Sequence, residues 1–385
     1  MTTTINNEHK KLNVPNLRFP EFQEEWEESS IGEMFDLYSG NTPSRLNKSH
    51  FKGNVNWISS GELKQHYIYS SKEQISEEAA QSLKMLPVGT FVIAIYGLEA
   101  EGVRGTGSIT KEPSTISQAC MAFTSKGKVE NEFLYSWYKK HGNVIGIKYA
   151  QGTKQQNLSY DILEKFKIAY PNAKEQGKLN KFISLLDERI ATQNKIIDNL
   201  QSLIRGIRNE VYGKLRKTVG FNAIIGDVLS YEQPQSYIVE DTEYTNEGTP
   251  VLTANKAFVL GYTSETDGVY DKGDCIIFDD FTLDCKYVDF SFKVKSSAIK
   301  ILTAKNKELL RYTFEFLKHL DLSTDEHKRH YIAETQNQSF ILPNAEMIEI
   351  IAHTFSALSL QMQYAIKQRN KHEEQKLYLL RQMFI

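Results

Sequence analysis

The stretch "FDDFTLDCK" groups Asp279, Asp280, Asp284 and Lys286. Carboxylates and a lysine set so close could hold Mg²⁺ and activate water, as in metal-dependent nucleases. An acidic strand end with its loop is the plainer reading, because the earlier stretch "IAIYGLEAEGVR" has no matching acids. In "HKRH", His327 and His330 have ligand-like spacing, yet two histidines in a polar stretch are more often solvated than metal-bound. Cys120, Cys275 and Cys285 form no CxxC pair, and an odd number argues against a disulfide framework. Gly102, Gly105 and Gly107 do not fit GxGxxG and precede no adequate helix, so they read as a loop. There is no GxxxxGK[ST] phosphate loop, no Gly-x-Ser-x-Gly elbow and no evident Cys–His pairing. The chain lacks the equipment of an enzyme that works alone, and no metal or cofactor site is expected in it.

The elements carry more information than these residues. Two stretches, "YPNAKEQ" from Tyr170 and "LPNAEMI" from Leu342, write the same helix entrance twice. Walking backwards from each gives matched features in one order. "NEFLYSWYKKH" pairs with "KELLRYTFEFLKH" as an aromatic amphipathic helix, and "SQACMAFTSK" with "SSAIKILTAK" as a strand. "LPVGTFVIAIYG" pairs with "YDKGDCIIFDDF", and "SSIGEMFDLYSG" with "NAIIGDVLSYEQ". The separation drifts from roughly 194 to roughly 172 residues, as diverged duplicates with loop insertions should. Short strands rich in Val, Ile, Phe and Tyr, bounded by Gly, Asn and Pro, make each globular part α+β.

After each globular part comes a long helix. The first has β-branched residues at every seventh position, Ile183, Ile190, Ile197, Ile204 and Val211, with Leu186, Gln193, Leu200 and Ile207 three further on. That is a coiled-coil seam of about four heptads, and a helix of about 40 residues would span about 60 Å. The second helix has a less regular seam through Ile348, Ile351, Phe355, Leu358 and Met362, then Leu377, Leu380 and Phe384. Between these, "KQRNKHEEQ" is polar on all faces and needs a partner to stay helical. A compact chain pairs the two helices antiparallel, with Gln193 near Arg369 and Asn370. The layout is then a polar tail over 1–16, a globular domain over 17–160, a helical spacer over 161–217, a second domain over 218–339 and a second spacer over 340–385.

The chain has 385 residues, 40% apolar and 24% charged, with a net charge of −2. Near-neutral charge means that any grip on nucleic acid comes from local patches or from a partner. No apolar run is long enough to span a membrane, and the polar N-terminus has no signal-peptide core, which together with the unpaired cysteines points to the cytoplasm.

Nearly the whole chain resembles the specificity subunit of type I restriction-modification systems. The resemblance is carried by "VPNLRFPEFQEEWEESSIGEMFDLYSGNTPS" (Val14–Ser44), "YAQGTKQQNLSYDILEKFKIAYP" (Tyr149–Pro171), "AKEQGKLNKFISLLDERI" (Ala173–Ile190) and the repeated layout. The second helix departs from the pattern, lacking Glu-Gln after its proline. The resemblance implies two target-recognition domains in direct repeat, separated by two long antiparallel coiled-coil helices. It implies that each domain reads one half of a bipartite double-stranded DNA target. Two modification subunits would dock and methylate adenine with S-adenosylmethionine, and restriction subunits would add ATP-driven translocation and cleavage. S-adenosylmethionine, ATP and Mg are thus expected on partners, not on this chain. The alternative is a coiled-coil adaptor presenting two protein-binding modules.

Base reading needs amides, hydroxyls, Arg or Lys on loops. In the first domain the candidates are Lys64, Arg104, Lys154, Gln155, Gln156 and Asn157; in the second they are Thr253, Asn255, Lys256, Lys328, Arg329 and Gln336. As a polar loop capping its domain, "QGTKQQNLS" has a purely structural explanation too.

Overall fold

In a computed structural model the chain is described over residues 13–99, 102–152, 156–253, 258–322 and 330–385. It divides into two compact units, Met1–Thr192 with Gln368–Ile385, and Gln193–Lys367.

The first unit contains β1 (Glu27–Ser30), α1 (Ile31–Met34), β2 (Phe35–Ser39), β3 (Val55–Ile58), β4 (Tyr67–Ile68) and β5 (Gln74–Ile75). Next come α2 (Glu77–Gln81), β6 (Phe91–Ala94), β7 (Gly107–Thr110), β8 (Ser114–Ile116), β9 (Cys120–Ser125), α3 (Asn131–Tyr149), α4 (Tyr160–Leu163) and β10 (Lys167–Tyr170). The main sheet has the order β2-β9-β6-β7-β4 and a smaller one the order β5-β3-β8. Strand β6, "FVIA", is buried at every position, as a central strand covered on both faces must be. Phe35, Phe91 and Phe123 from the main sheet pack with Phe133, Tyr135 and Tyr138 of α3. Strand β10 lies in the stretch that the sequence assigns to the spacer, yet it pairs with β1.

The second unit repeats this plan. It has β11 (Ala223–Ile224), α6 (Ile225–Val228), β12 (Leu229–Glu232), β13 (Thr249–Leu252), β14 (Val259–Thr263) and β15 (Cys275–Asp279). It continues with β16 (Cys285–Val288), β17 (Lys293–Val294), β18 (Ile299–Ala304), α7 (Lys307–Leu320) and β19 (Ser339–Phe340). Its sheets run β12-β18-β15-β16 and β14-β13-β17, with β11 on β19. Strand β3 pairs antiparallel with β5 and parallel with β8; β13 does the same with β14 and β17. The two globular domains are a direct repeat, with β4 alone among the strands of the first lacking a counterpart in the second.

The long helices are α5 (Ala173–Thr218) and α8 (Ala345–Met383). The repeated Pro-Asn-Ala entrance has a local cause. The Asn172 side chain accepts the Glu175 amide at 3.1 Å, and Asn344 accepts that of Met347 at 2.9 Å, so each asparagine caps its helix. In the first unit Leu179, Ile183 and Leu186 of α5 share a core with Leu380, Met383 and Phe384 at the end of α8. In the second, Tyr212 and Leu215 late in α5 share a core with Ile348, Ile351 and Phe355 at the start of α8. The helices are therefore antiparallel. Ile197 is buried; Ile190, Gln193, Leu200, Ile204, Leu358 and Met362 are half-buried along the seam.

Two details of the seam differ from the sequence reading. Leu377 is 50% exposed, because the inward face of α8 there passes through Lys376, Leu380 and Met383, three and four residues apart. Gln193 does not meet Arg369 and Asn370: its amide donates to the Ala365 carbonyl at 3.1 Å, while Arg369 bonds Asn370.

Candidate nucleic-acid interface

In the first domain Lys64 is exposed on the turn that follows β3. Arg104 is not free to enter a groove. Its Nη1 donates to the Leu98 carbonyl at 3.1 Å, and its stem lies against Gly146 of α3, where a Cβ would come within 2.9 Å of the Arg104 Cγ. The sequence marks Arg104 as a donor between glycines; of these, Gly105 lets the loop approach α3, where a Cβ would come within 3.0 Å of the Asn143 nitrogen. The Gln156 backbone amide donates to the Glu99 carboxylate at 2.9 Å, and its backbone carbonyl accepts from the Leu98 amide. Asn157 exchanges two backbone bonds with Gln151, both 2.8 Å. Gln156 and Asn157 thus close a small loop base, with both side chains half-buried. Lys154 and Gln155 lie outside the described residues, as do Asn255, Lys256, Lys328 and Arg329.

In the second domain Thr253 lines an open cleft of about 610 Å³ with Leu260, Asp279, Lys295, Ser296 and Ser297. Parallel pairing of β13 and β17 sets their carboxyl ends side by side, and the Lys295 amide donates to the Leu252 carbonyl at 3.1 Å. The first domain has the same corner, with Ser117 donating to Ile58 at 2.9 Å. Lys295, Ser296 and Ser297 are polar groups at this corner that sequence reasoning missed, since only strand pairing joins them to Thr253. Gln336 stands elsewhere, its side chain donating to the Ile332 carbonyl at 2.7 Å.

The acidic stretch does not converge. Asp279 accepts the Phe281 and Thr282 amides, and Asp280 accepts those of His330 and Tyr331 and faces Lys300. Asp284 pairs with Lys286 and Lys318. Among the described residues no group of three His, Cys, Asp or Glu side chains is arranged to hold a metal. The three cysteines are buried thiols, pushed up to about 12 by desolvation.

Each domain is fastened to its portion of both long helices by buried charge. In the first, the His66 ring lies between the Tyr67 and Tyr135 rings, with centroids 4.0 Å away on either side. Its Nε2 is 2.7 Å from Glu132 of α3 and its Nδ1 2.9 Å from Asp187 of α5. The Asp187 contact is off the line of a hydrogen bond, so it acts as an ion pair. Lys376 of α8 donates to the other Asp187 oxygen at 2.5 Å. Burial alone would lower the His66 pKa, but Asp187 and Glu132 outweigh it and raise it. Burial would likewise raise Asp187, and His66 with Lys376 brings it below the usual range. In the second domain Glu315 of α7 accepts from Arg208 of α5 at 2.6 Å and from Arg311 at 2.7 Å. Arg311 also donates to the Phe355 carbonyl of α8 at 3.1 Å.

The two helix entrances differ in what covers them. On α5, Glu175 forms a two-point pair with Arg18, Lys178 bonds Glu21, and Phe182 packs on Phe19. On α8 the corresponding Met347 and Ile350 are 41% and 55% exposed.

Residues 23–202 match the family described as the type I restriction modification DNA specificity domain. Over 165 residues the chain is 38% identical to the specificity subunit of the type I restriction enzyme EcoR124I/EcoR124II of Escherichia coli, a match covering 38% of this chain and 41% of that protein. Against the MjaIX specificity subunit of Methanocaldococcus jannaschii it is 25% identical over 222 residues, 56% of this chain and 50% of that one. The matches thus span half or less of those relatives' length. The fold is similar to the crystal structure of the type I restriction-modification S subunit from M. genitalium. The TM-score is 0.65, covering 97% of this chain and 99% of that one at 15% identity. Over these stretches the chain is similar to type I restriction-modification specificity subunits.

Proposed function

We propose that this chain is the DNA-reading, non-catalytic subunit of a type I restriction-modification complex, each recognition domain reading one half of a bipartite target. The observation that carries this is the repeated sheet plan, with each copy fastened to a shared antiparallel helix pair by buried charge. One binding fold used twice on a shared helix pair suits duplex DNA, whose half-sites recur at fixed helical spacing. The polar corner of Thr253, Lys295, Ser296 and Ser297 is the reading surface we favour in the second domain. Lys64 and the loop around Gln156 remain the candidates in the first, with those named residues that lie outside the description.

Modification subunits are the proposed occupants of the outer helix faces. In the second unit Ile196 and Leu203 of α5 and Ile350, Leu360 and Tyr364 of α8 stand 42–67% exposed, an apolar excess that a partner would cover. S-adenosylmethionine, ATP and Mg would act on those partners and on restriction subunits. The described helices include none long and apolar enough to cross a membrane. The cytoplasm, where DNA is reached, is the proposed location.

A domain exchange tests the reading. Replacing residues 27–170 by the equivalent domain of a relative with a different target should change one half of the methylated motif and keep the other. Change in both halves, or in neither, would contradict it.

A further inference from the structure

We propose that His66 is a positioning residue, fixing the angle of the first recognition domain on the helix pair and with it the gap tolerated between the two DNA half-sites. The inference rests on the DNA-reading function proposed above. His66 belongs to the segment leading into β4, at the edge of the main sheet, and its side chain is 7% exposed. The ring planes of Tyr67 and Tyr135 lie within 14° and 4° of its own. That sandwich stops the imidazole from tilting. One nitrogen is held by Glu132 of α3, and the other faces Asp187 of α5 as an ion pair. Asp187 passes the link to Lys376 of α8, whose side chain is 12% exposed.

The two rings and Glu132 belong to the same domain and fix the imidazole within it, so the Nδ1–Asp187 pair, continued to Lys376, is the contact that a rotation of the domain on the helices would lengthen. Solvent-exposed ion pairs would re-form after such a movement, whereas a buried pair pulled apart leaves uncompensated charge. Other charged groups facing the cluster are Lys139 of α3 and Lys111, whose Nζ atoms stand 5.4 Å from the Tyr135 ring and 3.8 Å from the Tyr67 ring. Both cations stand over the tyrosine rings, where neither takes the place of a carboxylate at a His66 nitrogen. A metal does not explain the cluster, because the two carboxylates sit at opposite nitrogens and do not converge. One base pair alters the gap by about 3.4 Å and about 35° of rotation, so a small angular freedom in the domain is enough to admit a neighbouring spacing.

The test uses the full chain co-expressed with its modification subunit in a methylation-free host, with modified adenines mapped for the parent, His66→Gln and Asp187→Asn. Both variants should keep the two half-site sequences. Methylation at sites whose gap differs by one base pair should rise roughly tenfold relative to sites with the parent gap. A uniform fall at all sites would mean general weakening and would overturn the proposal, as would unchanged spacing in both variants. If His66→Gln does not accumulate, Asp187→Asn and Lys376→Met, both on the long helices, decide between the same outcomes. A parent chain that gives no bipartite motif would instead refute the DNA-reading function itself.

Discussion

Burial alone would favour the neutral form of His66, yet two carboxylates hold the proton on it. Its pKa is higher folded than unfolded, so its pairing contributes fully below the unfolded histidine value of about 6.5 and is lost as pH rises through the folded value. Asp187 is shifted down, so its share is present above about 3.9 and lost as pH falls through the folded value. The difference in denaturant midpoint between the parent and His66→Gln should be largest from about pH 5 to about pH 6.5 and shrink at higher pH. A difference that stays constant with pH would contradict this account of the clamp.

Arg104 illustrates what a sequence withholds at this scale. It reveals a donor on a glycine-rich loop but not its direction, and here the guanidinium turns inward to Leu98. Arg104→Ala should lower stability by about 1–2 kcal/mol, measured by denaturant unfolding, and leave both half-site preferences intact. A changed base preference at either half would return Arg104 to the interface. Thr253 and Lys295 come together only because β13 and β17 run parallel, a contact no local pattern announces.

Among the elements, the heptad of α5 was legible because β-branched residues recur at seven-residue spacing, and the helix follows it without interruption to Thr218. The aromatic helices α3 and α7 were legible for the same reason, through their apolar faces. Register was not: "KQRNKHEEQ" offers no apolar residue to set the phase of α8. That phase instead follows from Lys376 reaching Asp187 and Gln193 reaching Ala365. The Glu-Gln of the first entrance acquires a physical role, since Glu175 grips Arg18 and Gln176 bonds the Lys128 and Pro171 carbonyls. Met347 and Ile348 in the second entrance cannot do either. Removing one heptad from each helix, residues 190–196 and 362–368, shortens the pair by about 10 Å. The recognised gap should shrink by roughly three base pairs, read by mapping methylated sites. An unchanged gap would show that the helices do not set the spacing.

For the whole molecule, the repeat was readable because four matched segments kept one order while their separation drifted. The strand pairings then gave each match a structural identity: β9 with β18, β6 with β15, β1 through β2 with β11 through β12, and α3 with α7. What the chain reads, by contrast, depends on loop geometry that the pattern does not encode. The central claim is that two recognition domains on one spacer read a bipartite DNA target. It is tested most directly by mapping methylated adenines genome-wide in cells that carry the modification subunit with and without this chain. The account predicts a motif of two short specific halves separated by an unspecific gap of fixed length, present only with the chain. A single continuous motif, or methylation that does not depend on the chain, would contradict it.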